Sequence, residues 1–225
     1  MTEAIESLFI YVAIYISLLP ILFFFWKYKS LRNSLPLKIV AAYCACEFVT
    51  NYTSLWVPVS QIRNLYSIFT ALEYGLFAFL FFLFIANTKA KKGIYLISFG
   101  FYLFWCLYRI FGKYRVLDSI PIGVETILIL LMAFWYLFEQ MDKVTDGFIY
   151  NRYHFWIACA IMLYLAGSFF CYIFANQVDK SIINIFWMFT NIFTTIKCSF
   201  FLVAMLVAVD NRRNGKVGRL NQLSF

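Results

Sequence analysis

Residues 191–205 read NIFTTIKCSFFLVAM, and the reading of that stretch decides the fold. It lies inside a longer apolar run, 182–209, yet Lys197 stands about halfway along it. A cation at bilayer centre costs about 2.5–3.5 kcal/mol on insertion scales, so it must face a bundle interior or water and find a partner. Stepping a helix at about 100° per residue puts Asn184, Trp187, Asn191, Thr194 and Lys197 on one face. Ile185, Phe189, Ile192 and Ile196 fall opposite. The run therefore reads as a membrane-spanning helix with a polar face turned toward other helices.

The rest of the chain supplies those helices. Of its 225 residues 64% are hydrophobic and 13% charged, far from the roughly half apolar and quarter charged of a soluble domain. A span needs about 20 apolar residues. Such runs occur at 8–26, 39–57, 65–86, 93–111, 120–138, 155–174 and 182–209. A transmembrane barrel would need ten-residue segments of alternating polarity, and these runs are continuous. The expected fold is an all-α, polytopic membrane protein: one domain over 1–225 with seven transmembrane helices, ending in a basic tail at 210–225.

Lysine and arginine set the orientation. With the N-terminus outside, Lys27, Lys29, Arg32 and Lys38, then Lys89, Lys91 and Lys92, then Lys143 and Arg152, and finally Arg212, Arg213, Lys216 and Arg219 lie on the inner side. Arg63, Arg109, Lys113, Arg115 and Lys180 remain outside. The excess predicts N-out and C-in, in a bacterial inner membrane. The start, MTEAIESLF, has no basic n-region and reads as a retained anchor, not as a cleaved signal peptide. The net charge of +8 is concentrated on inner loops and tail, where anionic lipid headgroups attract it. Lipid, not nucleic acid, is the expected partner. All six cysteines fall within spans and lack zinc or disulfide spacing; they read as small core residues.

Weak internal similarity points to a 3+1+3 repeat. NLYSIFT at 64–70 opens the third span and NIFWMFT at 184–190 the seventh, with ESLFI at 6–10 and ETILI at 125–129 a fainter pair. Such symmetry is common in membrane proteins.

The candidate site follows from faces and depth. On the second span Tyr43, Glu47, Thr50, Asn51 and Ser54 form a stripe; on the third, Tyr66, Thr70, Glu73 and Tyr74 do. Counting about 1.5 Å per residue and the lean of side chains toward the helix N-terminus, Lys197 and Glu47 both reach about 17 Å from the outer surface, and Glu73 about 10 Å. Glu47 is the expected ion-pair partner of Lys197. Arg109 and Glu125 are the expected second pair, with Arg63 and Glu73 beside them in an outer polar cluster. Asn51, Tyr66, Thr70, Tyr74, Asn184, Trp187, Asn191 and Thr194 are expected to line the space between. These residues serve either as interhelical fasteners or as the wall of an outward-facing pocket.

Catalysis is not expected. Zinc hydrolysis needs about three protein ligands and the chain has one histidine, His154; no HExxH, GxSxG or phosphate-cradling glycine loop occurs. No cofactor is expected. A retinal protein would carry Asp where this chain has Phe193, and the Pro-Gln signature of the three-plus-one-plus-three sugar transporters is replaced by Val59, Ser60 and Gln61 after Pro58.

Three segments, FWIACAIMLYLAGSFF at 155–170, IFWMFTNIFTTIKCSFF at 185–201 and YSIFTALEY at 66–74, resemble a group of small bacterial seven-helix membrane proteins of unassigned function. The resemblance implies a receptor-like, sensory or accessory role beside a signalling partner protein. Its expected form is a pocket for a small or lipidic ligand, with signalling through the inner loops and tail. The alternatives are a small-solute or proton-coupled transporter, in which Glu47 or Glu73 changes protonation, and a membrane scaffold without a ligand.

Overall fold

The computed structural model describes the backbone of residues 2–111, 119–141, 149–174 and 180–222, and the side chains of these except 2–7, 9, 59–60, 180–184 and 214–222. Lys113, Arg115 and Lys143, used above for orientation, lie outside the described residues, as do the side chains of Lys180, Asn184, Lys216 and Arg219.

Among the described residues the chain is helical throughout, without strands. The elements are α1 (Thr2–Ile16), α2 (Leu18–Trp26), α3 (Tyr28–Leu31), α4 (Leu35–Ser54), α5 (Val59–Phe84), α6 (Thr88–Phe111), α7 (Ser119–Met141), a short 3-10 turn (Ile149–Asn151), α8 (Tyr153–Phe174) and α9 (Lys180–Gln222). Five stretches, Gln61–Phe84, Thr88–Phe111, Ser119–Met141, Tyr153–Phe174 and Ile185–Arg213, are long and apolar enough to cross a membrane. The chain is a multi-pass helical membrane protein by that measure.

The two remaining predicted spans differ in physical character. The first, 8–26, is interrupted: α1 ends at Ile16 and α2 begins at Leu18. Pro20 explains the break, since it offers no N–H to the Ile16 carbonyl and its ring crowds that oxygen. The Ser17 hydroxyl donates to the Ile14 carbonyl at 2.7 Å. The second corresponds to α4, with 20 residues, whose Lys38, Glu47, Thr50 and Asn51 dilute its apolar character. Proline positions its start as well, Pro36 standing in the first turn of α4, where a missing N–H removes one of the unsatisfied donors. Pro58 likewise caps the start of α5 in extended geometry. At the other end of the chain, α9 continues as one helix of 43 residues through the expected tail.

The helices close a ring. α9 packs along α8, α8 on α7, α7 on α5, α5 on α4, and α4 on α2, which returns to α9; α1 also lies against α9 and α4. Gly167 on α8 lets the Phe193 ring of α9 lie directly over its backbone, the close approach for which small residues are favoured between membrane helices. α6 stands outside the ring, touching α5 and α7, and only 11% of its spanning window is buried. That position overturns one expectation: Cys106, on α6, is exposed, whereas Cys44, Cys171 and Cys198 are buried core residues and Cys46 and Cys159 lie between. His154 sits in an aromatic cluster, its ring 3.9 Å from Tyr153 and 4.7 Å from Phe84.

Candidate functional site

The site begins with Lys197, fully buried in the middle of the bundle. An ammonium has three N–H donors and no acceptor, and each donor has a place to go. Nζ donates to Glu47 Oε1 at 2.5 Å and to the Tyr43 hydroxyl at 2.5 Å. On its remaining side it lies 3.6 Å from the centre of the Tyr164 ring, within cation–π range. Tyr43, accepting from the lysine, donates in turn to Glu73 Oε1 at 2.7 Å. One ammonium therefore serves two carboxylates, Glu47 directly and Glu73 through a phenol. Helical spacing builds this: Tyr43 and Glu47 are four residues apart on α4 and share a face, opposite Lys197 on α9.

Above this cluster lies a chamber of about 110 Å³ walled by α1, α4, α5, α7, α8 and α9. Of the expected lining residues, Asn51, Tyr66, Thr70, Trp187, Asn191 and Thr194 are all on its wall, with Glu47, Glu73 and Glu125. A second cavity of about 280 Å³ shares Ala13, Asn51, Tyr66, Trp187 and Asn191 with it and forms a wider mouth. Both lie at the end of the bundle where α4 finishes and α5, α7 and α9 start.

Three carboxylate and hydroxyl oxygens in this region are buried without a hydrogen-bond donor among the described residues: Glu47 Oε2, Glu125 Oε1 and Ser67 Oγ. Buried polar atoms are nearly always paired. Two of these exceptions, on Glu47 and Glu125, belong to residues that line the chamber.

Several expectations need correction. Arg109 does not meet Glu125: its guanidinium donates to Asn64 Oδ1 at 3.0 Å and lies 5.4 Å from the Trp105 ring. The reason is the place of α6 outside the ring, which directs the last turn of that helix over the start of α5, while Glu125 faces inward from α7 and is 1% exposed. Arg63, part-buried near the start of α5, is not among the residues that line the chamber. Glu73 is joined to Lys197 through the long Tyr43 side chain. Tyr74 points away from the chamber; its hydroxyl donates to Ser98 Oγ at 3.1 Å and its ring stacks on Phe101 at 3.9 Å. Asn184 lies outside the described side chains.

Sequence reasoning missed the contribution of α8. Tyr164, Ser168 and Tyr172 follow one another at intervals of four, a helical face; Tyr164 and Tyr172 line the chamber, and Ser168 bonds back to the Tyr164 carbonyl at 2.6 Å. That spacing was a usable signal. Among the described residues there is no group of His, Cys, Asp and Glu placed to hold a metal ion. No protein-family model, curated protein or solved structure matches the chain.

Proposed function

We propose that this protein is a receptor-like or sensory membrane protein that binds a small ligand in the chamber and passes the signal to a partner through its inner loops and tail. In this reading the chain crosses a bacterial inner membrane seven times, with α1 and α2 together forming the first span and the N-terminus outside, so that the chamber opens outward. Anionic lipids hold the basic inner side.

One observation carries the reading: two residues of the chamber wall, Glu47 and Glu125, each hold a buried carboxylate oxygen without a hydrogen-bond partner among the described residues, and the chamber continues into a wider mouth. Fasteners would be satisfied by each other. An internal repeat is supported by a further detail, since the matching Thr70 and Thr190 both line the chamber and each donates to the carbonyl four residues earlier, at 3.0 and 3.2 Å.

Transport is the second reading, favoured by the unbroken hydrogen-bond chain from Glu47 through Lys197 and Tyr43 to Glu73. Against it, α4, α5, α7, α8 and α9 run continuously past the chamber, whereas transporter sites are typically formed by discontinuous helices. Purified protein in lipid nanodiscs, screened for ligands that raise its unfolding temperature, tests the first reading; Asn191→Trp, which plugs the neck between chamber and mouth, should abolish any such stabilisation. Solute-driven proton flux in vesicles that disappears in Glu47→Gln would replace the sensory reading with transport.

A further inference from the structure

The chamber wall is unbalanced in charge. It presents three carboxylates from three helices, Glu47 on α4, Glu73 on α5 and Glu125 on α7, and among the described residues no Lys or Arg lies on it. Lys197, behind the wall, serves Glu47 and, through Tyr43, Glu73. No cation among the described residues acts on Glu125. It is 1% exposed, its Oε1 has no donor among the described residues, and the charged group acting on it is another carboxylate, Glu73. Glu47 Oε2 is in the same position. An uncompensated buried carboxylate is so costly that without a counter-charge the group takes up a proton instead, so the wall is complementary to a ligand that brings a positive charge and its own N–H donors.

The remaining wall narrows the class. Tyr66, Phe69, Tyr172 and Trp187 present aromatic surface to the chamber, and ring faces attract organic cations. Hard metal ions want a shell of oxygen ligands, and although the wall carries carboxylates, no group of His, Cys, Asp and Glu among the described residues is placed to hold a metal ion. An anion would meet no cation among the described residues of the wall. At about 30 Å³ per water-sized group, 110 Å³ holds about four heavy atoms, and a longer ligand would extend into the mouth.

We infer that the chamber binds a small protonated amine, its ammonium N–H groups filling Glu125 Oε1 and Glu47 Oε2 and its apolar body lying against the rings. This inference rests on the chamber being a binding site, as proposed above.

Three probes of one shape and different charge test it: propylammonium, propan-1-ol and propionate, titrated at neutral pH by calorimetry into the full chain in nanodiscs. Propylammonium should bind at least ten-fold more tightly than propan-1-ol, and propionate should not bind. Glu125→Gln should weaken propylammonium at least ten-fold, Glu125→Asp should restore most of the loss by returning the charge, and Asn191→Trp should remove binding altogether. Should Glu125→Gln fail to fold, the comparison of probes on the unaltered protein, together with Glu125→Asp, decides. If propan-1-ol or propionate binds as well as propylammonium and Asn191→Trp blocks it, the chamber is a site but not for cations, and this inference falls alone. If none of the three binds, or binding ignores Asn191→Trp, the two oxygens are served by water and the chamber reading falls with it.

Discussion

Replacing Lys197 by methionine should cost far more than replacing its partner Glu47 by glutamine. The ammonium makes one hydrogen bond to a carboxylate, one to a phenol and one ring contact. A hydrogen bond to a charged group contributes about 1.5–3 kcal/mol and a neutral one about 0.5–1.5, while a desolvated cation–π contact adds about 2. Lys197→Met removes all three and leaves Glu47 and Glu73 without counter-charge; breaking a buried pair in this way costs about 3–5 kcal/mol. Glu47→Gln keeps an acceptor for the ammonium, which also retains Tyr43, Tyr164 and, beyond Tyr43, Glu73, so about 1–2 kcal/mol is expected. In the double variant the losses should fall short of additive by about 1–3 kcal/mol. Denaturation by dodecyl sulfate in mixed micelles, followed by tryptophan fluorescence, measures all three. Interhelical hydrogen bonds in membranes average about 0.6 kcal/mol. A Lys197→Met loss that small, or one no larger than that of Glu47→Gln, would refute the reasoning.

Tyr43→Phe removes the phenol that joins Lys197 to Glu73 and leaves Glu73 Oε1 without its donor; the same denaturation assay should show a loss of about 1–3 kcal/mol. Gly167→Ala places a methyl group in the space held by the Phe193 ring, and overpacking of the α8–α9 contact should cost about 1–3 kcal/mol, read as a lower unfolding temperature. In a background without native cysteines, Gln61→Cys should react with a membrane-impermeant maleimide in intact cells and Lys92→Cys only after permeabilisation; the reverse pattern would overturn the N-out orientation. Arg109→Ala should lose an exposed bond to Asn64 and a contact with the Trp105 ring and stay within about 0.5 kcal/mol of the unaltered protein.

The helical character and the meeting of Glu47 with Lys197 were legible in the sequence because both depend on one-dimensional quantities, the length of apolar runs and the depth counted along a helix. Pro20 was a visible marker for the interruption between α1 and α2, but continuous hydrophobicity outweighed it. Depth alone left Glu73 apart from Lys197, since counting to its own side chain ignores the reach of Tyr43 from a neighbouring helix. The Arg109–Glu125 pair failed for a different reason: nearness to a common loop says nothing about which helix stands outside the ring, and α6 does. Tyr74 shared a stripe with Glu73, yet the two side chains diverge toward α6 and the interior because α5 packs on both sides.

The claim on which the chamber stands is that the Lys197 ammonium and the Glu47 carboxylate touch within the bundle. Solid-state NMR on membrane-reconstituted protein, with ¹⁵Nζ-lysine and ¹³Cδ-glutamate labels and Lys197→Met as the assignment control, measures that contact through dipolar dephasing. Strong dephasing of the Lys197 signal, as an Nζ–Oε1 contact of 2.5 Å with Cδ one bond beyond requires, which weakens in Glu47→Gln, is the expected result. A Lys197 signal that does not dephase, or that dephases equally without Glu47, would contradict the account.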